Sequence, residues 1–414
     1  MQVYKFGGAS VKNEAAVRNV AEILKHYPRK KVVVVSAMGK TTNALEAVVN
    51  AYVAGNEWQL PFKQVEEQHQ TIAQQLLPNA SATMARINQW CLSVEQFLLQ
   101  NTSTHYQFIY DQVVSLGEFL STTIVSDYCN AVGVENQFLN VKEVLATDHA
   151  YTEARVDWNA TENAIRSKVA AASAEVIVTQ GFIGCTTEGF STTLGREGSD
   201  YTAAIFAFCL QAEKMTVWKD VAGIMNADPK LFPNAVFIRE LSYREAIEMT
   251  YYGASVIHPK TIKPLQNRNI PLAVRSFIDF NHEGSLISAE GAGSLPPVII
   301  VKDNQVLLSF STRDFSFIAE EHLSKLFAAF ADQRLRANLM QNGAISYSVV
   351  VDFKKEKIDR IKAMLSDEFA IVSNEALTLL TIRHYNAAIT EELTTGRDIL
   401  LRQISRNTLQ VLMR

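Results

Sequence analysis

The chain has 414 residues, 48% hydrophobic and 20% charged, the make-up of a globular protein long enough for two or three domains with large cores. A net charge of −4 argues against a generally basic surface for nucleic acid or anionic membrane, so neither is expected as a partner. Cys91, Cys129, Cys185 and Cys209 include no CxxC pair, which suggests neither a zinc site nor a disulfide framework.

The N-terminus enters directly on the strand-like MQVYKFGG, with no basic segment followed by an apolar leader. No apolar run approaches the ~20 residues that cross a bilayer, and a cytoplasmic protein is expected. Next come a strand at 3–6, a helix at 14–26, a strand at 32–36 and a long helical region over 42–99. A strand at 107–109, a helix at 117–131, a strand at 174–181 and a helix at 201–210 follow. The series closes with a strand at 215–219, a helix at 243–251 and a strand at 272–275. Such alternation predicts an α/β domain around an open, mainly parallel sheet sandwiched by helices. The run KVVVV at 31–35 is apolar on both faces after its first residue, as a central strand is.

Gly and Pro punctuate EGAGSLPP at 290–297 and mark a boundary. Residues 1–292 form one domain and 298–414 a different region. There, a strand at 306–311, a helix at 320–333, strands at 336–340 and 346–352, a helix at 355–366 and a strand at 370–373 make a ferredoxin-like βαββαβ order. A strand at 377–383, a helix at 389–405 and a strand at 408–413 read as a second copy short of elements. Two small modules, about 303–374 and 375–414, are expected.

Three strand-to-helix loops carry the chemistry, and strand ends of an open parallel sheet face one side, where ligands bind. The first is KFGGAS at 5–10. Gly7 and Gly8 leave no Cβ between backbone and phosphate, and Lys5 supplies a point charge; the bland alternative is a solvated lysine beside a tight turn. The second, SAMGKTTN at 36–43, lacks the GxxxxGK[ST] spacing of a Walker loop. The third, TLGREGSD at 193–200, precedes the apolar helix at 201–210, which Ser199 or Asp200 is placed to cap. Backbone donors there, with the Arg196 fork, suit an anion, although an ordinary capped loop reads the same way. Together with Glu118, the three loops provide what phosphoryl transfer needs: cations on the phosphates, backbone donors and carboxylates. Glu118 alone is equally a favourable charge near a helix start, and Asp220 and Asp228 are equally turn formers. His258-Pro259 closes a turn, and the apolar spacing at 323–330 is core.

Six motifs in order, KFGGAS at 5–10, VSAMGKTTN at 35–43, SLGEFLS at 115–121, TLGREGSD at 193–200, WKDVAGIMNADPK at 218–230 and YGASVIHPKT at 252–261, resemble aspartate kinase, of the amino-acid kinase superfamily. The paired C-terminal modules resemble that family's ACT domains. The resemblance implies ATP- and Mg²⁺-dependent phosphorylation of the side-chain carboxylate of L-aspartate, the first step towards lysine, threonine and methionine. It implies that Lys5 neutralises the moving phosphate, that Gly7 and Gly8 supply backbone donors, and that Asp200 organises Lys5. Ser36, Thr42, Glu118, Arg196 and Ser199 would bind the amino acid, Arg196 facing its carboxylate and Glu118 its ammonium group. Lys219, Asp220, Met225, Lys230 and Ser255 would line the nucleotide site, with no metal ligand assigned within the chain. A homodimer or higher homo-oligomer is implied, with lysine or threonine as effector. The chain ends at Arg414 without a homoserine dehydrogenase half, so a monofunctional enzyme is expected.

The sequence departs from the family pattern at several places. Ala9 replaces a hydroxyl residue, Glu197 a glycine, Met225 a tyrosine and Ser255 a lysine. Asn338 stands near where lysine-sensitive members carry aspartate. Glu197 adds a carboxylate beside an anion site and weakens phosphate affinity unless it points outward or joins Mg²⁺ binding. These departures motivate a rival reading, a non-catalytic amino-acid sensor. A third reading is a superfamily member acting on glutamate, acetylglutamate or UMP, against which the regulatory tail and the Glu118/Arg196 pair argue.

Overall fold

A computed structural model describes residues 1–254 and 257–414; Ser255 lies outside the described residues. The backbone gathers into two compact units. The first holds Met1–Ile224, Ile238–Ile247 and Ile257–Ala292; the second holds Met225–Phe237, a short stretch from Glu248, and Gly293–Arg414.

The first unit opens with β1 (Gln2–Phe6), α1 (Glu14–His26) and β2 (Lys31–Val35). The helices α2 (Thr41–Val53), α3 (Gln59–Leu76), α4 (Ser81–Gln100), α5 (Tyr106–Val114) and α6 (Leu116–Ala131) follow. Then come β3 (Asn136–Leu139), α7 (Trp158–Ala171), β4 (Val176–Gln180), the hairpin of β5 (Ile183–Cys185) and β6 (Ser191–Thr193), α8 (Gly198–Leu210) and β7 (Lys214–Lys219). Short strands β8 (Ile224–Met225) and β9 (Phe237–Ile238) stand where the chain passes between units. β10 (Glu240–Ser242), α9 (Tyr243–Tyr252), α10 (Pro259–Asn267), β11 (Leu272–Ser276) and β12 (Ser285–Ser288) complete the series.

Eight strands form one sheet in the order β10-β12-β11-β7-β1-β2-β4-β3. From β3 to β11 the neighbours are parallel, and β12 runs antiparallel to β11. Every residue of β2 is buried, as its unbroken valine run demands of a strand covered on both faces. The register sets Phe6 level with Val35 and Trp218, and Val35 level with Gln180. The C-terminal ends of β1, β2, β4 and β7 therefore lie in line, and the loops leaving them share one edge of the sheet.

The helices differ from the sequence reading in informative ways. The region 42–99 is three helices, broken at Gly55 and at Pro78. Residues 107–109 are not a strand but lie within α5: His105 Nδ1 accepts the Phe108 N–H at its start, and Ile109 and Val113, one turn apart, are both buried. α8 begins at Gly198, with Glu197 rather than Ser199 or Asp200 at the cap position and Asp200 inside the first turn. β3, which forms the far edge of the sheet, and α7, which packs on α8, are elements the sequence reading did not single out.

The second unit is built from β13 (Val298–Thr312), α11 (Glu320–Asp332), β14 (Ala337–Asn342), β15 (Ser346–Asp352), α12 (Lys355–Leu365), β16 (Phe369–Arg383), α13 (Ala387–Thr394), β17 (Ile399–Ile404) and β18 (Thr408–Met413). They form one antiparallel sheet in the order β14-β15-β13-β16-β18-β17. β13 and β16, each fifteen residues long, pair with register shifts between Lys302 and Leu307. Past the irregularity, β13 lies between β15 and β16; before it, Val298–Lys302 pairs with the half of β16 that meets β18. The half of the sheet that reads as short of elements thus takes its extra strand from residues preceding the first half. Its core joins Ile299, Leu380, Ile382, Leu409 and Val411 to Ile389 and Leu393 of α13. Residues 389–405 are not one helix: α13 stops at Thr394, a turn at Gly396 follows, and the aliphatic run from Ile399 pairs with β18. Likewise 370–373 and 377–383 belong to one continuous strand. No helix among the described residues is long and apolar enough to cross a membrane.

Candidate functional site

The first two loops are zipped together. Ser36 N–H donates to the Phe6 carbonyl at 3.1 Å and Gly39 N–H to the Gly8 carbonyl at 3.0 Å. A Cβ at Gly8 would lie 2.8 Å from the Ala37 carbonyl oxygen, so only glycine permits this approach. Ser10 Oγ donates to the Trp218 carbonyl at 3.2 Å, tying the first loop to the end of β7 beside Lys219. Ala9 is exposed.

Lys5 leaves β1 towards α8, where its Nζ lies 2.6 Å from Asp200 Oδ1. Both side chains are largely shielded, at 12% and 5% exposure, so solvent and salt screen their attraction far less than that of a surface ion pair. A Cβ on Gly7 would stand 3.2 Å from that ammonium. The pair therefore presents one fixed cation beside a backbone turn at the edge of the sheet.

Glu118, in the first turn of α6, is buried among these loops. Its Oε1 accepts the Ala37 N–H at 3.3 Å, while Oε2 has no hydrogen-bond partner among the described residues. Burial pushes its carboxyl up to about 8, against the pull of the Ala37 N–H, its own N–H and the Lys5 charge. Ser121 Oγ, one turn further, donates to the Ser36 carbonyl at 2.7 Å and fixes α6 to the second loop. Thr42 is half-buried in the first turn of α2.

In the third loop, Gly198 N–H donates to the Gly195 carbonyl at 3.0 Å and Leu194 N–H to the Phe182 carbonyl at 2.9 Å. Arg196 is exposed and Ser199 buried. Glu197 has φ +54, a left-handed conformation in which a glycine is more at ease. Its Oε2 accepts the His258 N–H at 3.0 Å, so the extra carboxylate is engaged with the backbone ahead of α10. His258 in turn caps α10, its Nδ1 accepting the Lys260 N–H at 3.2 Å, with Pro259 at the first helical position.

Among the buried charges that the sequence reading missed is Asp111 of α5. Its carboxylate accepts the Thr193 N–H at 2.8 Å, the Thr193 hydroxyl at 2.7 Å and the Thr152 N–H at 2.9 Å. The available signal was an aspartate in the otherwise apolar run IYDQVV, a position where an unpaired charge is prohibitively costly.

Lys5, Gly7, Gly8, Ser36, Thr42, Glu118, Arg196, Ser199 and Asp200 all belong to the first unit, Lys5 near the end of β1 and the others in the loops that leave the sheet edge or in the adjoining first turns of α2, α6 and α8. Lys219, half-buried, ends β7, and Asp220 is exposed beside it. Met225 and Lys230 belong to the second unit, where Lys230 N–H closes a turn on Asp228 Oδ1 at 2.9 Å. Asn338 of β14 donates to Gln305 Oε1 at 2.8 Å and Asp352 Oδ1 at 2.9 Å, and accepts from Lys302 Nζ at 2.8 Å. No group of three or more metal-binding side chains occurs among the described residues.

Residues 1–276 match the amino acid kinase family. Bifunctional aspartokinase/homoserine dehydrogenase 1 of Zea mays is 33% identical over 303 residues, 70% of this chain and 32% of that protein. Aspartokinase 2 of Arabidopsis thaliana is 30% identical over 396 residues, 87% of this chain and 69% of that protein. The chain thus spans about a third of the length of the bifunctional plant relatives it matches. The crystal structure of Escherichia coli aspartokinase III in complex with lysine and aspartate superimposes with a TM-score of 0.82, 25% identity, and 100% of this chain and 95% of that one covered. The eight-stranded α/β unit followed by an antiparallel ACT-type region is accordingly the architecture of that enzyme.

Proposed function

We propose a function from one premise: the chain belongs to the amino acid kinase family and, within it, to the aspartokinases. The reading is ATP-dependent phosphorylation of the side-chain carboxylate of L-aspartate to 4-phospho-L-aspartate, at the head of lysine, threonine and methionine synthesis. The observation that carries it is the shielded Lys5–Asp200 pair, 2.6 Å long, beside the Gly7-Gly8 turn.

In the proposed reaction a carboxylate oxygen of aspartate attacks the γ-phosphorus, and the bond to the β,γ-bridging oxygen breaks to release ADP. The acceptor is already ionised, so no general base is required. The protein's task is positioning and charge compensation. Lys5 neutralises the moving phosphoryl group, with backbone N–H groups of the glycine turn as further donors. Asp200 holds Lys5 in place. Glu118, with one oxygen lacking a hydrogen-bond partner among the described residues, takes the substrate ammonium, and Arg196 takes its α-carboxylate by a bidentate contact. Ser36, Thr42 and Ser199 complete the amino-acid site.

Mg²⁺ would enter with ATP and screen its β,γ-phosphates. The donor set fits, because a carboxylate is the oxygen ligand that this hard cation takes, and Asp200 is the residue that would face it. Lys219, Asp220, Met225 and Lys230 are the proposed nucleotide contacts, together with Ser255. A cytoplasmic homodimer, with lysine or threonine as effector and Asn338 in the regulatory region, completes the reading.

A coupled ADP-release assay comparing aspartate, glutamate, N-acetylglutamate and UMP as acceptors tests the proposal. Turnover specific to aspartate supports it. Turnover with another acceptor, or ATP-independent amino-acid binding alone, would replace it.

A further inference from the structure

We infer that Asp111 is a positioning residue for the Arg196 loop, an inference that rests on the aspartate-site reading above. Asp111 touches neither substrate nor nucleotide in that reading. It acts through the backbone that carries Arg196.

Three observations converge on it. Asp111 Oδ2 accepts two backbone N–H groups from segments far apart in sequence, Thr193 at 2.8 Å and Thr152 at 2.9 Å. Its Oδ1 accepts the Thr193 hydroxyl at 2.7 Å, so both oxygens are engaged and the side chain is fully buried. Second, Thr152 has φ +69, a conformation that a β-branched residue rarely holds without external support. The Asp111 contact to its N–H supplies such support. Third, the two clamped segments bracket the loop. Ala154 N–H donates to the Thr193 carbonyl at 3.0 Å, and a Cβ on Gly195 would stand 3.2 Å from the Thr152 carbonyl oxygen.

Thr193 is therefore held at its N–H, carbonyl and hydroxyl. The chain can depart towards Arg196, three residues on, in only a narrow range of directions. An arginine fork selects a carboxylate by angle as well as distance, so a loosened Thr193 weakens substrate binding more than it slows the phosphoryl step.

Steady-state kinetics and amide hydrogen exchange on the full-length chain test this. Asp111→Ala is expected to raise KM for aspartate roughly tenfold or more while kcat stays within about threefold. Asp111→Asn keeps an acceptor for both N–H groups and turns the third bond round, its amide N–H donating to the Thr193 hydroxyl, and is expected to retain KM and kcat within about threefold. Exchange of amides 193–198 is expected to accelerate at least about tenfold in the alanine variant, with β1 and β2 unchanged. If Asp111→Ala does not fold, Thr193→Val removes one of the three bonds and is expected to raise KM about threefold.

Unchanged KM and unchanged exchange in a folded variant overturn the inference, as does a fall in kcat at constant KM. An asparagine variant as impaired as the alanine one also overturns it. A wild-type chain with no aspartate-dependent turnover sinks the kinase reading instead, and the exchange experiment then decides the Asp111 question by itself.

Discussion

Two buried carboxylates on consecutive helices, Asp111 of α5 and Glu118 of α6, face opposite situations. Asp111 accepts three hydrogen bonds of 2.7–2.9 Å, whereas Glu118 accepts one of 3.3 Å and leaves Oε2 without a partner among the described residues. Burial raises both, Asp111 to about 6 against the pull of its three donors and Glu118 to about 8 against the Ala37 N–H, its own N–H and the Lys5 charge. A buried polar group is nearly always paired. The carboxylate with built-in partners ties α5 to Thr152 and Thr193, and the one left short is the one proposed above to receive the substrate ammonium.

The comparison breaks most visibly at Glu118. Glu118→Gln is expected to raise KM for aspartate by about 10²-fold, the order expected when one partner of a buried charge pair is removed. Above about pH 8, where Glu118 ionises, the variant's thermal midpoint is expected to stay level or rise, because a neutral amide is less costly to bury than a carboxylate. A large fall in the midpoint at unchanged KM would make Glu118 structural. Asp111→Ala should do the reverse in a urea melt. It orphans two buried N–H groups and should cost about 2–6 kcal/mol, at roughly 1–3 each.

The pH dependence of stability sharpens the contrast. Folding raises both pKa values above the ordinary carboxylate range near ~4. Between there and about 6 for Asp111, or about 8 for Glu118, the unfolded chain has released a proton that the folded chain keeps. Stability from this source is complete below that range and is lost as pH rises through 6 and then 8. Urea unfolding at pH 5 and pH 8.5 should show wild type losing more stability than Glu118→Gln, and equal losses would contradict the assignment. The smallest effect is expected at Glu197→Gly. Relief of the left-handed backbone and loss of the His258 contact oppose each other, leaving a net change within about 1 kcal/mol by thermal melt.

Much of the α/β unit was legible because its signals are local. The valine run of β2 and the glycine turn after β1 are decided by neighbours in sequence, and they fall where the sequence reading puts them. What escaped is decided by distant partners. Residues 107–109 look like a strand in isolation, and α5 is fixed in part by a bond from Asp111 to a residue 82 positions away. The two fifteen-residue strands of the second unit are invisible as such, because a register shift near Lys302 interrupts their alternation. The stretch 389–405 carries helical spacing into a strand that only pairing with β18 defines. Within the site, the motif residues were legible. The direction of the Glu197 carboxylate was not, since His258 lies 61 positions away.

Trapping the acyl phosphate tests the central claim most directly. With MgATP, aspartate and hydroxylamine, the wild-type chain is predicted to form aspartyl hydroxamate in step with ADP. Lys5→Ala, still folded by circular dichroism, is predicted to lose about 10²–10³-fold of that rate. No aspartate-dependent hydroxamate from the wild type, or undiminished formation by Lys5→Ala, would contradict phosphoryl transfer at the Lys5–Asp200 pair.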